Sequence, residues 1–180
     1  PITYKDNLMK KCLIAVSLAA AAFSASVLAD DGRINFYGSI TDSACTVLNN
    51  MSNPLSVMMG NVSSSAFTGA GSTASPTKFN IALKDCPESA KSATVKFDGT
   101  ADSNVATLLA LTQEAGVAKG VGIQLMENKN VVVPLYTASS AYPLQAGDNN
   151  LAFVARYYAT ANTVSAGFAN ATSSFTLNYN

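Results

Sequence analysis

The chain has 180 residues, of which 12% are charged and none is histidine, and its basic and acidic residues balance at 11 each. A weakly charged chain without net charge lacks the basic surface that binds nucleic acids or anionic membranes. Without histidine it cannot form a Ser-His or Cys-His nucleophile, and its glycines form no phosphate-binding or dinucleotide-binding motif. These features indicate neither an enzyme nor a protein that holds a cofactor or a metal.

A secretory signal peptide is predicted near the beginning of the sequence. Met9 is followed by two lysines, and residues 12–22 are apolar apart from one serine. Residues 27–29, Val-Leu-Ala, then offer small residues suited to signal-peptidase cleavage. The alternative is a membrane anchor, but the apolar run is shorter than the roughly 20 residues that a spanning helix needs. We therefore predict a signal peptide at residues 9–29 and expect residues 1–8 to lie upstream of the native start.

Two cysteines, Cys45 and Cys86, remain in the expected mature chain, residues 30–180. An even pair of cysteines in an exported protein predicts a disulfide bond, here between the first and third predicted strands. A metal site would need further ligands, and a lipoprotein site would need an apolar residue before Cys45. The 151 mature residues suit one domain, and their 8 basic and 10 acidic residues give a net charge of −2.

Short alternating segments separated by turn-forming residues follow from residue 32 onward, which predicts an all-β domain. In the first of these segments Ile34, Phe36, Gly38 and Ile40 share one face of a predicted strand. An exposed loop is expected at 67–76, and turns are expected at 98–99, 128–130 and 147–149. Further strands are predicted at 55–59, 79–83, 93–97, 122–127, 131–135 and 151–158.

Residues 104–114 have two interpretations. Val105 and the leucines at 108, 109 and 111 fit a short amphipathic helix, but the surrounding segments are β, so we predict a strand. No internal repeat and no second domain boundary occur. About seven short strands at this spacing predict a β-sandwich of the immunoglobulin type.

The last segment of the chain is the most informative one. Phe175, Leu177 and Tyr179 alternate with polar residues, which predicts a strand with one buried face. Because this strand reaches the last residue, we expect no later segment to cover it, and an open apolar edge is an aggregation hazard. With Gly167 fourteenth from the end and Tyr179 penultimate, this segment resembles the C-terminal signature of pilus subunits assembled by the chaperone–usher route.

Other stretches resemble the same family, the major subunits of type 1 pili. Residues 32–40 carry the pattern Gly-x-Ile-x-Phe-x-Gly-x-Ile, and Ala44-Cys45 follows. This stretch is similar to the N-terminal extension of those subunits. Residues 79–86, 120–125 and 153–160 are similar to further segments of the family, in its order and spacing.

The resemblance implies an incomplete immunoglobulin-like β-sandwich that lacks its last strand and is completed by a donated strand. It implies a donor-strand extension at residues 30–41 and a pilin domain at residues 42–180. The expected donor residues are Ile34, Phe36, Gly38 and Ile40. The residues expected to form the edge that meets a chaperone or a neighbouring subunit are Gly167, Phe175, Leu177 and Tyr179.

The same resemblance implies a structural subunit of an adhesive surface pilus, or fimbria. Its partners would be identical or related pilin subunits, a periplasmic chaperone and an outer-membrane usher, without stable membrane insertion. Only two residues, Asp30 and Asp31, precede Gly32 in the expected mature chain, so a terminating or basal minor pilin stays open. A tip adhesin would need a lectin domain, for which 151 residues leave no room. The alternative outside the family is a secreted β-sandwich binding domain that completes its own fold.

Overall fold

The computed structural model describes residues 32–38 and 44–180. Residues 44–180 form an all-β domain, as predicted, with one short 3-10 turn at Ser64–Ala66. Every strand pairing in it is antiparallel. Its strands are β1 (Thr46–Val47), β2 (Thr73–Cys86), β3 (Ser92–Gly99), β4 (Val121–Glu127), β5 (Tyr142–Pro143), β6 (Gly147–Ala159) and β7 (Ser173–Tyr179).

Two sheets pack face to face around one core. The first sheet has the strand order β1-β2-β6-β4, and the second has the order β5-β3-β7. Phe153 of β6 is fully buried and contacts Phe97 of β3 edge to face, with ring centroids 5.1 Å apart. Phe79 of β2 stacks on the ring of Phe153, with ring centroids 5.8 Å apart. Alternate residues of each strand therefore point inward, as a two-layer sandwich requires.

A second group of buried apolar residues lies on the outer face of the first sheet. Met126 and Val154 are paired across β4 and β6 on that face, and both are buried. Leu108 is 1% exposed, and its Cβ lies 3.4 Å from the position that a Cβ on Gly122 would occupy. The loop at 101–109 therefore covers the outer face of β4.

The prediction of a strand at 104–114 was wrong. Asp102 accepts hydrogen bonds from the backbone N–H groups of Asn104 and Val105, which fixes a turn. Leu109 then exchanges both backbone hydrogen bonds with Ile123, at 2.9 Å each, in an isolated bridge. The bridge does not extend beyond Leu109, and the chain before it forms a turn, so neither a helix nor a longer strand forms in this segment.

The predicted hairpin at 122–135 is correct only in its first strand and its turn. Val133 donates to the Leu125 carbonyl at 2.9 Å. Pro134, which has no N–H, ends the ladder. Leu135 and Tyr136 then bond to Thr107 and Phe97, so the chain crosses to the other sheet.

Other predicted boundaries also need correction. The residues expected as turns at 98–99 and 147–149 lie inside β3 and β6, because Gly99 pairs with Ser173 and Gly147 pairs with Cys86. The loop expected at 67–76 ends earlier, since β2 begins at Thr73. Residues 55–59 are not a strand, and residues 32–38 contain no strand.

The disulfide bond between Cys45 and Cys86 is confirmed, with a Cα–Cα distance of 4.2 Å. It does not join the first and third strands. Cys45 directly precedes β1, Cys86 ends β2, and these two strands are neighbours in the first sheet. The expected position was wrong because two of the segments counted as strands do not pair in the described residues.

Candidate functional site

The strand β7 has one paired edge and one free edge. It pairs along its whole length with β3, from Ala93 opposite Tyr179 to Gly99 opposite Ser173. Within residues 32–38 and 44–180, no backbone group pairs with its other edge. An unpaired edge presents a row of N–H and C=O groups that can bind a further strand. The predicted C-terminal strand thus exists, and one of its edges is available.

The inward side chains beside this edge are incompletely covered. Phe175 and Leu177 lie opposite Phe97 and Val95 of β3 and face the same core. The two β3 residues are 3% and 0% exposed, whereas the two β7 residues are only half-buried. Because both pairs belong to one layer, the difference arises from what lies over β7. One further strand would cover them.

The same alternation extends upstream of β7. Ala169, Ala171 and Ser173 are half-buried, and the residues between them are exposed. Sequence analysis missed this part of the face because alanine and serine carry little hydrophobic signal. Alternation counted backwards from Phe175 was the available signal. Small side chains therefore line the beginning of this face, at 169–173, and bulky side chains line its end, at 175–179.

A second segment with unpaired backbone lies at residues 54–62. Among the described residues, none forms a backbone–backbone hydrogen bond with this segment. Val57 and Met59 are half-buried, and Met59 and Val62 pack against the core. The carbonyl of Met59 accepts a hydrogen bond from the Ser75 hydroxyl, at 2.6 Å. Residues 55–59 of this segment were predicted as a strand. Their burial alternates in part as it would in a strand, but they pair with no strand among the described residues.

An open cavity of about 330 Å³ lies between this segment and the approach to β7. Val62, Phe67 and Val164 contribute apolar walls. Tyr157 contributes to the lining, and its hydroxyl donates to the carbonyl of Ala169 at 3.0 Å. Burial raises the pKa of Tyr157, so this hydroxyl stays protonated as the donor. An aliphatic side chain that entered the cavity would contact these apolar walls.

Gly167 lies where two backbone segments approach closely. A Cβ at this position would be 2.4 Å from the carbonyl oxygen of Gly116 and 2.5 Å from the nitrogen of Ala118. Phe168 exchanges backbone hydrogen bonds with the same two residues, at 2.9 and 2.8 Å. The glycine is therefore required by packing, and it positions the beginning of the uncovered face.

Tyr179 lies at the opposite end of that face. It pairs with Ala93, and its ring packs against the core. Its hydroxyl oxygen is buried and has no hydrogen-bond partner among the described residues. Burial raises the pKa of Tyr179, which keeps the hydroxyl neutral. A buried hydroxyl without a partner costs free energy.

The predicted donor residues fall in a separately described segment, residues 32–38, where every residue is exposed. Ile34 is 78% exposed and Phe36 is 90% exposed. Gly38 ends the segment, and Ile40 lies outside the described residues. Ile34 and Phe36 thus present apolar surface that no described residue covers.

The described residues hold no cluster of three or more His, Cys, Asp or Glu side chains that could bind a metal ion. In the same residues, no helix has the length and hydropathy of a membrane span. What the site presents is an apolar groove beside a free strand edge.

The comparisons agree with this geometry. The family model for fimbrial proteins matches residues 34–180. The chain belongs to the fimbrial protein family. This pilin is 37% identical to long polar fimbria protein A of Salmonella typhimurium over 177 residues, which cover 97% of this chain and 99% of the relative. Fimbrial proteins are structural subunits of surface pili and not enzymes.

Solved structures agree with the fold. The pilin is 42% identical to a Burkholderia pseudomallei antigen and type I fimbria protein, with a TM-score of 0.60 and coverage of 81% of this chain and 96% of that one. The P pilus rod subunit PapA, at 23% identity, has a TM-score of 0.62 over 76% of this chain and 99% of that one. The second likeness supports the incomplete immunoglobulin-like fold alone.

Proposed function

We propose that this pilin polymerises by donor-strand exchange, in which residues 30–41 of one copy insert beside β7 of the next. The observation that carries the proposal is the half-buried inward face of β7 next to an unpaired edge. Filling the groove would add on the order of 1 kcal/mol for each large side chain it finishes burying. Each backbone hydrogen bond gained would add about 0.5–1.5 kcal/mol.

The donor segment has the complementary pattern. Ile34, Phe36 and Ile40 alternate with polar residues, so all three would point into the groove when the segment is extended. Gly38 would lie where the inserted backbone must pass close to the groove floor. Main-chain bonding would supply affinity, and the order of sockets would select the register, as in other cases of strand addition.

We infer an antiparallel insertion. Every strand pairing of the domain is antiparallel, and antiparallel ladders are slightly more stable per residue. In this orientation Ile40 lies at the Gly167 end of β7, next to the 330 Å³ cavity. Phe36 then lies near the small Ser173.

A fusion with a short linker tests insertion and orientation together. Residues 32–41 are appended behind Asn180 through four flexible residues, and the N-terminal copy is removed. A linker of four residues reaches about 14 Å. This is enough to join β7 to an antiparallel appended strand as a hairpin. It is too short for a parallel strand, whose linker must first return along the whole of β7, roughly 23 Å. We expect a monomer in size-exclusion chromatography, with a higher melting temperature than the domain without the appended strand.

The matched control is the same fusion with Phe36→Asp in the appended strand, which should lose most of the gain. If the short-linker fusion leaves stability and oligomeric state unchanged, while a linker of about 12 residues stabilises the domain, insertion is parallel. If neither fusion changes either property, the domain completes its own fold, and the proposal is wrong.

We further propose that a periplasmic chaperone covers the same groove before assembly at an outer-membrane usher. The exposed apolar groove supports this, because such an edge aggregates unless it is covered. Tyr179, whose half-buried ring ends the uncovered face of β7, would contact the chaperone. Tyr179→Ala should reduce co-purification with a co-expressed chaperone more than the exposed-face control Thr176→Ala. Equal co-purification of the two variants would contradict this role.

A further inference from the structure

Two aromatic side chains of the domain at residues 44–180 are exposed, namely Tyr136 at 52% and Phe168 at 60%. Phe168 is held in place by its backbone bonds to Gly116 and Ala118, at 2.9 and 2.8 Å. Its ring lies against Gly116, where a Cβ would be 3.6 Å from the ring carbons. Phe168 also lines the cavity at the end of the groove, together with Val62 and Phe67, so its ring continues an apolar surface that indicates a contact site.

Phe168 directly precedes Ala169, at the cavity end of the groove. In the antiparallel insertion inferred above, Ile40 of the donor copy occupies this end. Five residue steps lead from Ile40 to Cys45 of that copy, which limits their separation to about 18 Å. The donor domain must therefore lie against the end of the acceptor that carries Phe168.

The disulfide determines which surface of the donor domain faces this end. Cys45 is bonded to Cys86, so the short tether holds the C-terminal end of β2 toward the acceptor. Next to the disulfide, Ala44 is exposed and Pro87 is half-buried. These small apolar groups form a surface that an aromatic ring can cover, and the exposed Glu88 lies at its border.

We propose that Phe168 packs against the surface at Ala44 and Pro87 of the next copy, forming an end-to-end contact between consecutive subunits. This inference rests on the proposed donor-strand exchange. The contact adds apolar area at the cavity end of the groove and limits bending between consecutive domains. It would make the fibre stiffer than one whose subunits are joined by the donated strand alone.

Photo-crosslinking in assembled fibres tests the contact. The photoreactive analogue p-benzoylphenylalanine replaces Phe168 in the full chain, and a parallel variant carries it at Tyr136. After irradiation, reduction and trypsin digestion, we expect the analogue at 168 to be joined to the peptide at residues 85–91 of another copy. The analogue at 136 should not reach that peptide.

A second measurement keeps the test independent of the analogue. Phe168→Ser fibres should show a shorter persistence length in electron micrographs than wild-type or Tyr136→Ser fibres, and Phe168→Leu should restore most of it. Crosslinks from position 168 only to residues 34–41, crosslinks to other surfaces, or unchanged stiffness would overturn the proposal. A ladder of undissociated oligomers on denaturing gels distinguishes a failure of this contact from a failure of donor-strand exchange. If wild-type fibres give the ladder but the contact is not found, the contact alone is refuted. If wild-type fibres give no ladder, donor-strand exchange is refuted, and the contact with it.

Discussion

Gly167→Ala should destabilise the domain strongly, although it adds a single methyl group. The new Cβ would lie 2.4 Å from the Gly116 oxygen, 2.5 Å from the Ala118 nitrogen and 2.7 Å from the Val117 carbonyl carbon. All three atoms belong to the backbone, so no side chain can rotate away. To restore ordinary contact distances, the backbone at Gly167 and the backbone at 116–118 must separate by about 1 Å. Overpacking of this kind costs about 1–3 kcal/mol.

The same displacement breaks the two backbone hydrogen bonds between Phe168 and its partners, now 2.9 and 2.8 Å long. Each contributes about 0.5–1.5 kcal/mol. The total loss is therefore about 2–6 kcal/mol, which lowers the melting temperature of a domain of this size by about 5–20 °C.

Thermal unfolding of the domain with the appended strand, followed by circular dichroism, measures this loss. Ala166→Ser is the matched control, because it adds one atom at the exposed neighbouring position and should change the free energy of unfolding by less than about 0.5 kcal/mol. If Gly167→Ala unfolds within about 1 kcal/mol of its parent, the close approach does not exclude a side chain, and the reasoning is refuted.

Three further results are expected. Thiol titration of denatured, unreduced protein should find Cys45 and Cys86 without free thiols, and replacing both by serine should cost about 3–4 kcal/mol in denaturant unfolding. Leu108→Ala should cost about 2–5 kcal/mol in the same assay, far more than Leu48→Ala at a position 43% exposed. Burial, with the charge of Glu127 adding to it, raises the pKa of Tyr142 from 10.0 to about 12. Because the raised folded-state pKa favours the neutral phenol, its stabilisation is present below pH 10 and lost between pH 10 and 12. Wild-type stability should therefore fall more steeply there than that of Tyr142→Phe.

Alternation along the chain predicted the β class and most of the core-facing strands. Phe79, Phe97 and Phe153, which form the aromatic centre of the core, all lie in segments predicted as strands. Alternation succeeds there because a strand between core and solvent must place apolar residues on every second position. The cysteine pair was predicted from its even number and the export signal, which is information that does not depend on folding geometry.

Loops that pack as part of the structure were not predictable in this way. Leu108 and Leu109 are buried on opposite sides of the first sheet, as neighbouring residues of a strand would be. The strand interpretation still failed, because Leu109 alone forms bridges, to Ala101 and Ile123, and neither bridge extends into a ladder. The crossing that follows Pro134 depends on contacts with Thr107 and Phe97, which are distant in sequence.

The sequence by itself determined the fold class, the disulfide pair and the alternating face of the last strand, because each of these depends on residue type and local period. Only the tertiary structure decided that the second edge of β7 is unpaired in the described residues and that a cavity continues the groove. It also decided that Gly167 is constrained by backbone atoms and not by a turn. These properties arise where segments distant in sequence meet, at 60–67, 116–118 and 164–170. The absence of a neighbour at a particular edge leaves no periodic pattern in the chain.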